Sequence, residues 1–134
     1  MTAHWKDIAQ ATIVGSENDT MSFLEAVQRL IEAGLDGYSV DLRGATRSFY
    51  RPDGEVAVFE TARLHTPVAL SFDGEAISQS IRKAQAQTPG YTYKGFCNEV
   101  ARAGCAGYFV SFPGKRVLYF GRDGKTHTEL FPGQ

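Results

Sequence analysis

A chain of 134 residues with 43% hydrophobic and 22% charged residues has the make-up of one folded domain, which excludes a disordered or fibrous chain. With 14 basic and 15 acidic residues the net charge is −1, so no electrostatic footprint for nucleic acid or an anionic membrane is present. Cys97 and Cys105 make neither a disulfide framework nor a zinc spacing, no apolar run spans a membrane, and Met1-Thr2-Ala3-His4-Trp5-Lys6 lacks a signal core, so a soluble cytoplasmic protein is expected.

In chain order, Trp5, Ile8, Ala9 and Ile13 predict a short N-terminal helix. Phe23, Val27, Leu30 and Ile31 then recur at helical spacing. Asp19, Thr20 and Ser22 are candidate caps, Glu25 completes a capping-box spacing from Ser22, and Gly34 ends the helix. Tyr38, Val40 and Leu42 alternate with Ser39, Asp41 and Arg43, which is strand period. A three-residue loop, Arg43-Gly44-Ala45, would close this hairpin and set Tyr38 opposite Tyr50 and Asp41 opposite Arg47. The Asp53-Gly54 turn leads to a third strand carrying Val56, Val58 and Thr61.

A segment from Arg63 to Phe72, with His65 and Pro67, precedes an extra helix over about 73–87 that reads as having no counterpart elsewhere. Its Ile77, Ile81 and Ala84 face the core, and Thr88-Pro89-Gly90 ends it. Another helix follows: Thr92 caps it, Tyr93, Phe96, Cys97, Val100 and Ala101 form its apolar face, and Gly104 stops it. A second hairpin turns at Pro113-Gly114, so Phe112 faces Lys115, Ser111 faces Arg116 and Tyr108 faces Tyr119. Asp123-Gly124, a strand with Thr126, Thr128 and Leu130, and the tail Pro132-Gly133-Gln134 complete the chain.

The residues from Ala33 to Gly54 recur from Ala103 to Gly124. Allowing single-residue shifts, the identities are Ala33/Ala103, Gly34/Gly104, Gly37/Gly107, Tyr38/Tyr108, Val40/Val110, Gly44/Gly114, Arg47/Arg116, Tyr50/Tyr119, Asp53/Asp123 and Gly54/Gly124. The expectation is an α+β fold: two helix-plus-antiparallel-meander units, about 20–62 and 91–131, sharing one core in a single domain over 1–134. What both copies keep serves the fold, and function is to be sought where they differ.

Three stretches carry a resemblance: Tyr91-Thr92-Tyr93-Lys94-Gly95-Phe96-Cys97, Ala103-Gly104-Cys105-Ala106-Gly107-Tyr108-Phe109-Val110, and Arg116-Val117-Leu118-Tyr119-Phe120-Gly121-Arg122. Together with Phe23, Ala33-Gly34, Gly37-Tyr38, Asp41 and Tyr50, they resemble a bacterial family catalogued as domain of unknown function 1398, some of whose members sit in enterobacterial prophages. The resemblance implies an α+β fold and no established activity. Some members carry a phage envelope label, which nothing in these residues supports.

No catalytic signature is present. The candidate catalytic groups are Asp41, His65 and Cys105, and the enzymatic reading would place Asp41 and His65 in one pocket. Cys97, on an apolar helix face, reads as an inert buried thiol, and Cys105, past a helix end, as the more accessible one. His4, His65 and His127 are too scattered for a metal, and no cofactor is implied. Arg43, Arg47, Arg51 and Arg116 are candidate anion ligands; against this stands the plainer reading of solvated strand faces with local ion pairs. Phe109, Leu118 and Phe120 make the second hairpin apolar where the first is polar, which calls for cover by a helix or by another chain. The expected function is a non-catalytic binding or protein-interaction module, possible as a homo-oligomer, with no nucleic-acid or membrane partner. The alternative is a small enzyme or anionic-ligand-binding protein with its site between the repeats.

Overall fold

In the computed structural model residues 4–133 are described. Residues 1–3 of the N-terminal segment and Gln134 of the tail lie outside the described residues. In chain order the elements are α1 (Trp5–Glu17), α2 (Phe23–Glu32), β1 (Gly37–Asp41), β2 (Thr46–Tyr50), β3 (Val56–Glu60), α3 (Gly74–Gln85), α4 (Tyr93–Arg102), β4 (Cys105–Ser111), β5 (Arg116–Gly121) and β6 (Thr126–Leu130). The strands form one antiparallel sheet in the order β3-β2-β1-β4-β5-β6, and the fold is α+β as expected.

Local chemistry sets the helix ends. Ser22 Oγ accepts the Glu25 amide at 3.1 Å and Thr92 Oγ1 accepts that of Gly95 at 3.0 Å, so both expected caps are made. Asp73 caps α3 in the same way. At Gly104, φ is +94° and a Cβ would collide with the backbone of Ser71, so only glycine lets the chain leave α4 there.

The order helix, helix, three strands occurs twice, and matching points stand 70 residues apart: caps Ser22 and Thr92, stops Gly34 and Gly104, and turns Gly54 and Gly124. The helix α3 therefore has a counterpart in α1, contrary to expectation. Buried Ala9, Thr12 and Ile13 show the same spacing as buried Ile77, Ser80 and Ile81. Strands β1 and β4 pair along the centre of the sheet around Ser39↔Phe109, two residues that are themselves 70 apart. The β1–β4 pairing is itself symmetric about a local two-fold axis through that pair.

The interval is constant through both hairpins, which corrects the expected register. The first hairpin closes at Asp41↔Thr46 and the second at Ser111↔Arg116, with no extra residue in the first loop. Tyr38 therefore opposes Phe49, not Tyr50, and Arg47 opposes Val40, not Asp41. The second hairpin pairs as expected, with Tyr108 opposite Tyr119. A slip of one residue exchanges the faces of a strand. Here it means that Arg47 corresponds to Val117 and Tyr50 to Phe120, and that Arg47 and Phe49 point into the protein.

All four helices lie on one face of the sheet, over Tyr38, Val40, Phe49, Tyr108, Val110, Val117 and Tyr119. In the outer strands the inward residues are Ala57, Phe59, His127 and Glu129, while Val56, Val58 and Leu130 face out. The opposite face is uncovered. Its central row runs Val58, Ser48, Ser39, Phe109, Leu118, Thr128 across the strands. Cover of Phe109 and Leu118 by a helix of the same chain does not occur: they are 39% and 37% exposed. No helix among the described residues is long and apolar enough to cross a membrane.

Candidate functional site

Of the buried polar residues among those described, Thr12, Arg47, Ser78 and Ser80, only Arg47 carries a full charge, and it is 3% exposed. Burial follows from strand alternation, since Arg47 shares the inward face of β2 with Phe49. A buried charge normally has a carboxylate partner, because taking it out of water costs several kcal/mol. Arg47 has none among the described residues. Aromatic groups hold it instead. The guanidinium lies 5.1 Å from the ring centroid of Tyr38 and 5.6 Å from that of Tyr93, contacts that offset part of the desolvation. One Nη donates to the Tyr93 hydroxyl at 2.9 Å, and that hydroxyl lies 2.7 Å from the Tyr108 hydroxyl.

Tyr93 and Tyr108 share one hydrogen bond, and the Cys97 sulfur is a further hydrogen-bond partner of the Tyr93 hydroxyl. The buried Nε of Arg47 has no hydrogen-bond partner among the described residues. The cluster holds a positive charge with no carboxylate beside it among the described residues.

Burial, the largest influence on Arg47, works against its charge. Tyr93, Tyr108, Tyr38 and Cys97 outweigh it and hold the guanidinium pKa above its ordinary value. Burial also pushes the phenols of Tyr93 and Tyr108 well above theirs, with Arg47 pulling the other way. At pH 7 they are neutral donors. The Cys97 thiol is pushed up by burial to about 11, so it is not a thiolate nucleophile at neutral pH.

The Arg47 side chain forms part of the lining of a cavity of about 300 Å³. It lies between the first turns of α2 and α4, over a floor of Tyr38, Tyr108, Val117 and Tyr119. Counterpart residues from both halves line it: Phe23 and Tyr93, Ala26 and Phe96, Tyr38 and Tyr108, Arg47 and Val117. The cavity therefore straddles the local two-fold axis. Two of these pairs differ in polarity: Arg47 and Tyr93 stand against Val117 and Phe23.

The other candidates are dispersed. Asp41 is exposed and its Oδ1 accepts the amides of Arg43 and Gly44, each at 3.0 Å, which makes it a turn cap. It shares the lining of a smaller cavity, about 80 Å³, with Arg47 and Glu17. His65 is exposed in the segment after β3 and lines neither cavity. Cys105, expected to be the accessible thiol, is fully buried at the start of β4, donates to the Gly107 carbonyl at 3.2 Å and is pushed up by burial to about 11. Arg43 and Arg116 are exposed, and Arg116 Nε donates to the Gly114 carbonyl. The half-buried Arg51 stacks over Trp5 at 5.3 Å and lies near Asp53 and Glu55. Phe120 is half-buried at the edge of the uncovered sheet face.

Sequence reasoning missed Tyr93 and Tyr108 as partners of Arg47. The signal was present in the constant interval, which sets a charged residue opposite a valine in the other copy. Among the described residues, no group of three His, Cys, Asp or Glu is placed to hold a metal ion. No curated protein matches the chain. A family model does match, over residues 11–129, and the chain with its two-fold sheet and buried arginine belongs to that family, described as "Protein of unknown function (DUF1398)".

Proposed function

We propose that the chain is a small-molecule binding protein whose cavity takes an organic anion, with Arg47 as the countercharge. The observation that carries this reading is a buried guanidinium with no carboxylate partner among the described residues, in the lining of a 300 Å³ cavity. An oxyanion placed there would accept from the Arg47 guanidinium, and charge-assisted bonds of that kind are about twice as strong as neutral ones. The surrounding phenols and guanidinium bind and orient, and no catalytic step is assigned to them. The reading is of a soluble bacterial protein of the cytoplasm, a compartment in which free thiols such as Cys97 and Cys105 persist.

Thermal unfolding in the presence of phenylacetate and of phenylacetamide tests it. The two share shape and differ in charge. Phenylacetate at millimolar concentration is expected to raise the Tm by several degrees, because a ligand that binds only the native state stabilises it. Phenylacetamide is expected to leave it unmoved. Equal shifts, or none, would remove the reading.

A second reading, self-association, is favoured by the uncovered sheet face. Phe109 and Leu118 stand exposed beside Phe120 in one half of that face, with Arg116 in the same half and Asp41 and Glu60 in the other. A second copy of the chain fits this face, since two-fold packing would bring Phe109 and Leu118 of the two copies together. Phe109→Glu is then expected to convert a dimer to a monomer in sedimentation velocity. A natural chain that sediments as a monomer at high concentration would refute it.

A further inference from the structure

Resting on that reading of the cavity, we infer that its ligand is a single-headed amphipath: one carboxylate at Arg47 and an apolar body extending across the two-fold axis toward Val117. The two ends of the cavity are built from counterpart residues, so they would be alike if the repeats had not diverged. At one end stand Arg47 and Tyr93, the guanidinium donating to the Tyr93 hydroxyl. At the other the same positions hold Val117, 5% exposed, and Phe23. Phe23 closes that end against Phe131, with ring centroids 5.5 Å apart, and Ile81 lines the wall beside them. Among the described residues no second lysine or arginine lines the cavity to meet a second anionic group.

Two carboxylates line the cavity, Asp19 and Glu129, and both are engaged. Asp19 accepts the Tyr93 amide at 2.8 Å, and Glu129 lies 2.8 Å from His127 Nε2 and 3.5 Å from Ser78 Oγ. Glu129 stands beside Val117, where its charge opposes a second negative group on the ligand, whereas Asp19 lies at the Tyr93 end. The span is also defined. Strands β2 and β5 are three strand intervals apart, on the order of 14 Å, so Arg47 and Val117 bracket an elongated space. At about 30 Å³ per water-sized group, 300 Å³ accepts roughly ten such groups. A carboxylate with a straight apolar body of six to eight carbons has that size.

The test is calorimetric titration of the natural chain with acetate, butyrate, hexanoate and octanoate, and with suberate, which has octanoate's length and a carboxylate at each end. Affinity is expected to rise at least tenfold from butyrate to octanoate, because each added methylene leaves water for an apolar wall. Suberate is expected to bind at least tenfold more weakly than octanoate. In Val117→Arg, which supplies the missing cation at the counterpart position, suberate is expected to gain and octanoate to lose. Where that variant does not fold, the series on the natural chain decides. Carboxylates that bind with no dependence on length, or suberate binding as well as octanoate, would overturn the single-headed ligand and leave the anion site standing. If no carboxylate of any length binds, both fall.

Discussion

Arg47→Met is expected to weaken binding of an organic anion at least a hundredfold while leaving the ligand-free protein as stable as before, or more so. The first half follows from removing the countercharge and its donors: a hundredfold is about 2.7 kcal/mol, within the range for losing one side of a buried charged pair. The second half separates a functional arginine from a structural one. Replacing an uncompensated buried charge by an apolar side chain of similar length removes its desolvation cost and keeps its packing. What is lost is one hydrogen bond to Tyr93 and the contacts with the rings of Tyr38 and Tyr93, and Tyr93 keeps its bond with Tyr108. Chemical denaturation and calorimetric titration of the same preparation measure both halves. A drop in stability of several kcal/mol with anion binding intact would make Arg47 a strut of the core.

Stability is expected to fall steeply as the pH rises from about 9 to 11. In the folded chain burial holds the thiols of Cys97 and Cys105 at about 11, against 9.0 for the unperturbed group. Below pH 9 both states keep these protons and the thiols add no slope. Between 9 and 11 the unfolded chain releases them and the folded chain does not, so each pH unit favours unfolding by up to about 1.4 kcal/mol per thiol. Over the full window that amounts to roughly 2–3 kcal/mol for each. The phenols add to the loss from about pH 10: Tyr91 is pushed by burial to about 12, and Tyr38, Tyr93, Tyr108 and Tyr119 are also raised. Urea midpoints at pH 7, 9 and 10.5 check this, with Cys105→Ala expected to show a shallower decline. A flat profile to pH 10.5 would contradict the burial of these groups.

Much of the scaffold was legible because it is written locally. Ser22 and Thr92 announce helix starts, Gly34 and Gly104 announce stops, and Pro113-Gly114 sets a hairpin register that the structure keeps. The first hairpin was misread for an identifiable reason. Allowing a one-residue shift let Arg47 align with Arg116 and Tyr50 with Tyr119, and that gain in identity outweighed the constant interval of 70. The same shift turned Arg47 from an inward to an outward residue and hid the site. Even with the register right, the partners were out of reach of local pattern. Arg47 meets Tyr93 across 46 positions of sequence, and a lone inward arginine on a strand reveals its surroundings only once α4 has packed over it. Cys105 was misjudged in the same way: its place after a helix end suggests access, whereas β4 is an interior strand with neighbours on both sides.

The seam between β1 and β4 has a consequence for the order of assembly. Every other strand pair in the sheet is a local meander joined by a short turn, and this one joins residues that are about 70 positions apart. Closing so long a loop carries an entropic cost that local hairpins do not bear, so the seam forms late. The cavity straddles it and has no existence in either half alone. On the proposed reading an anion would recognise only the finished fold, and its binding is expected to slow unfolding and leave the rate of folding as it was.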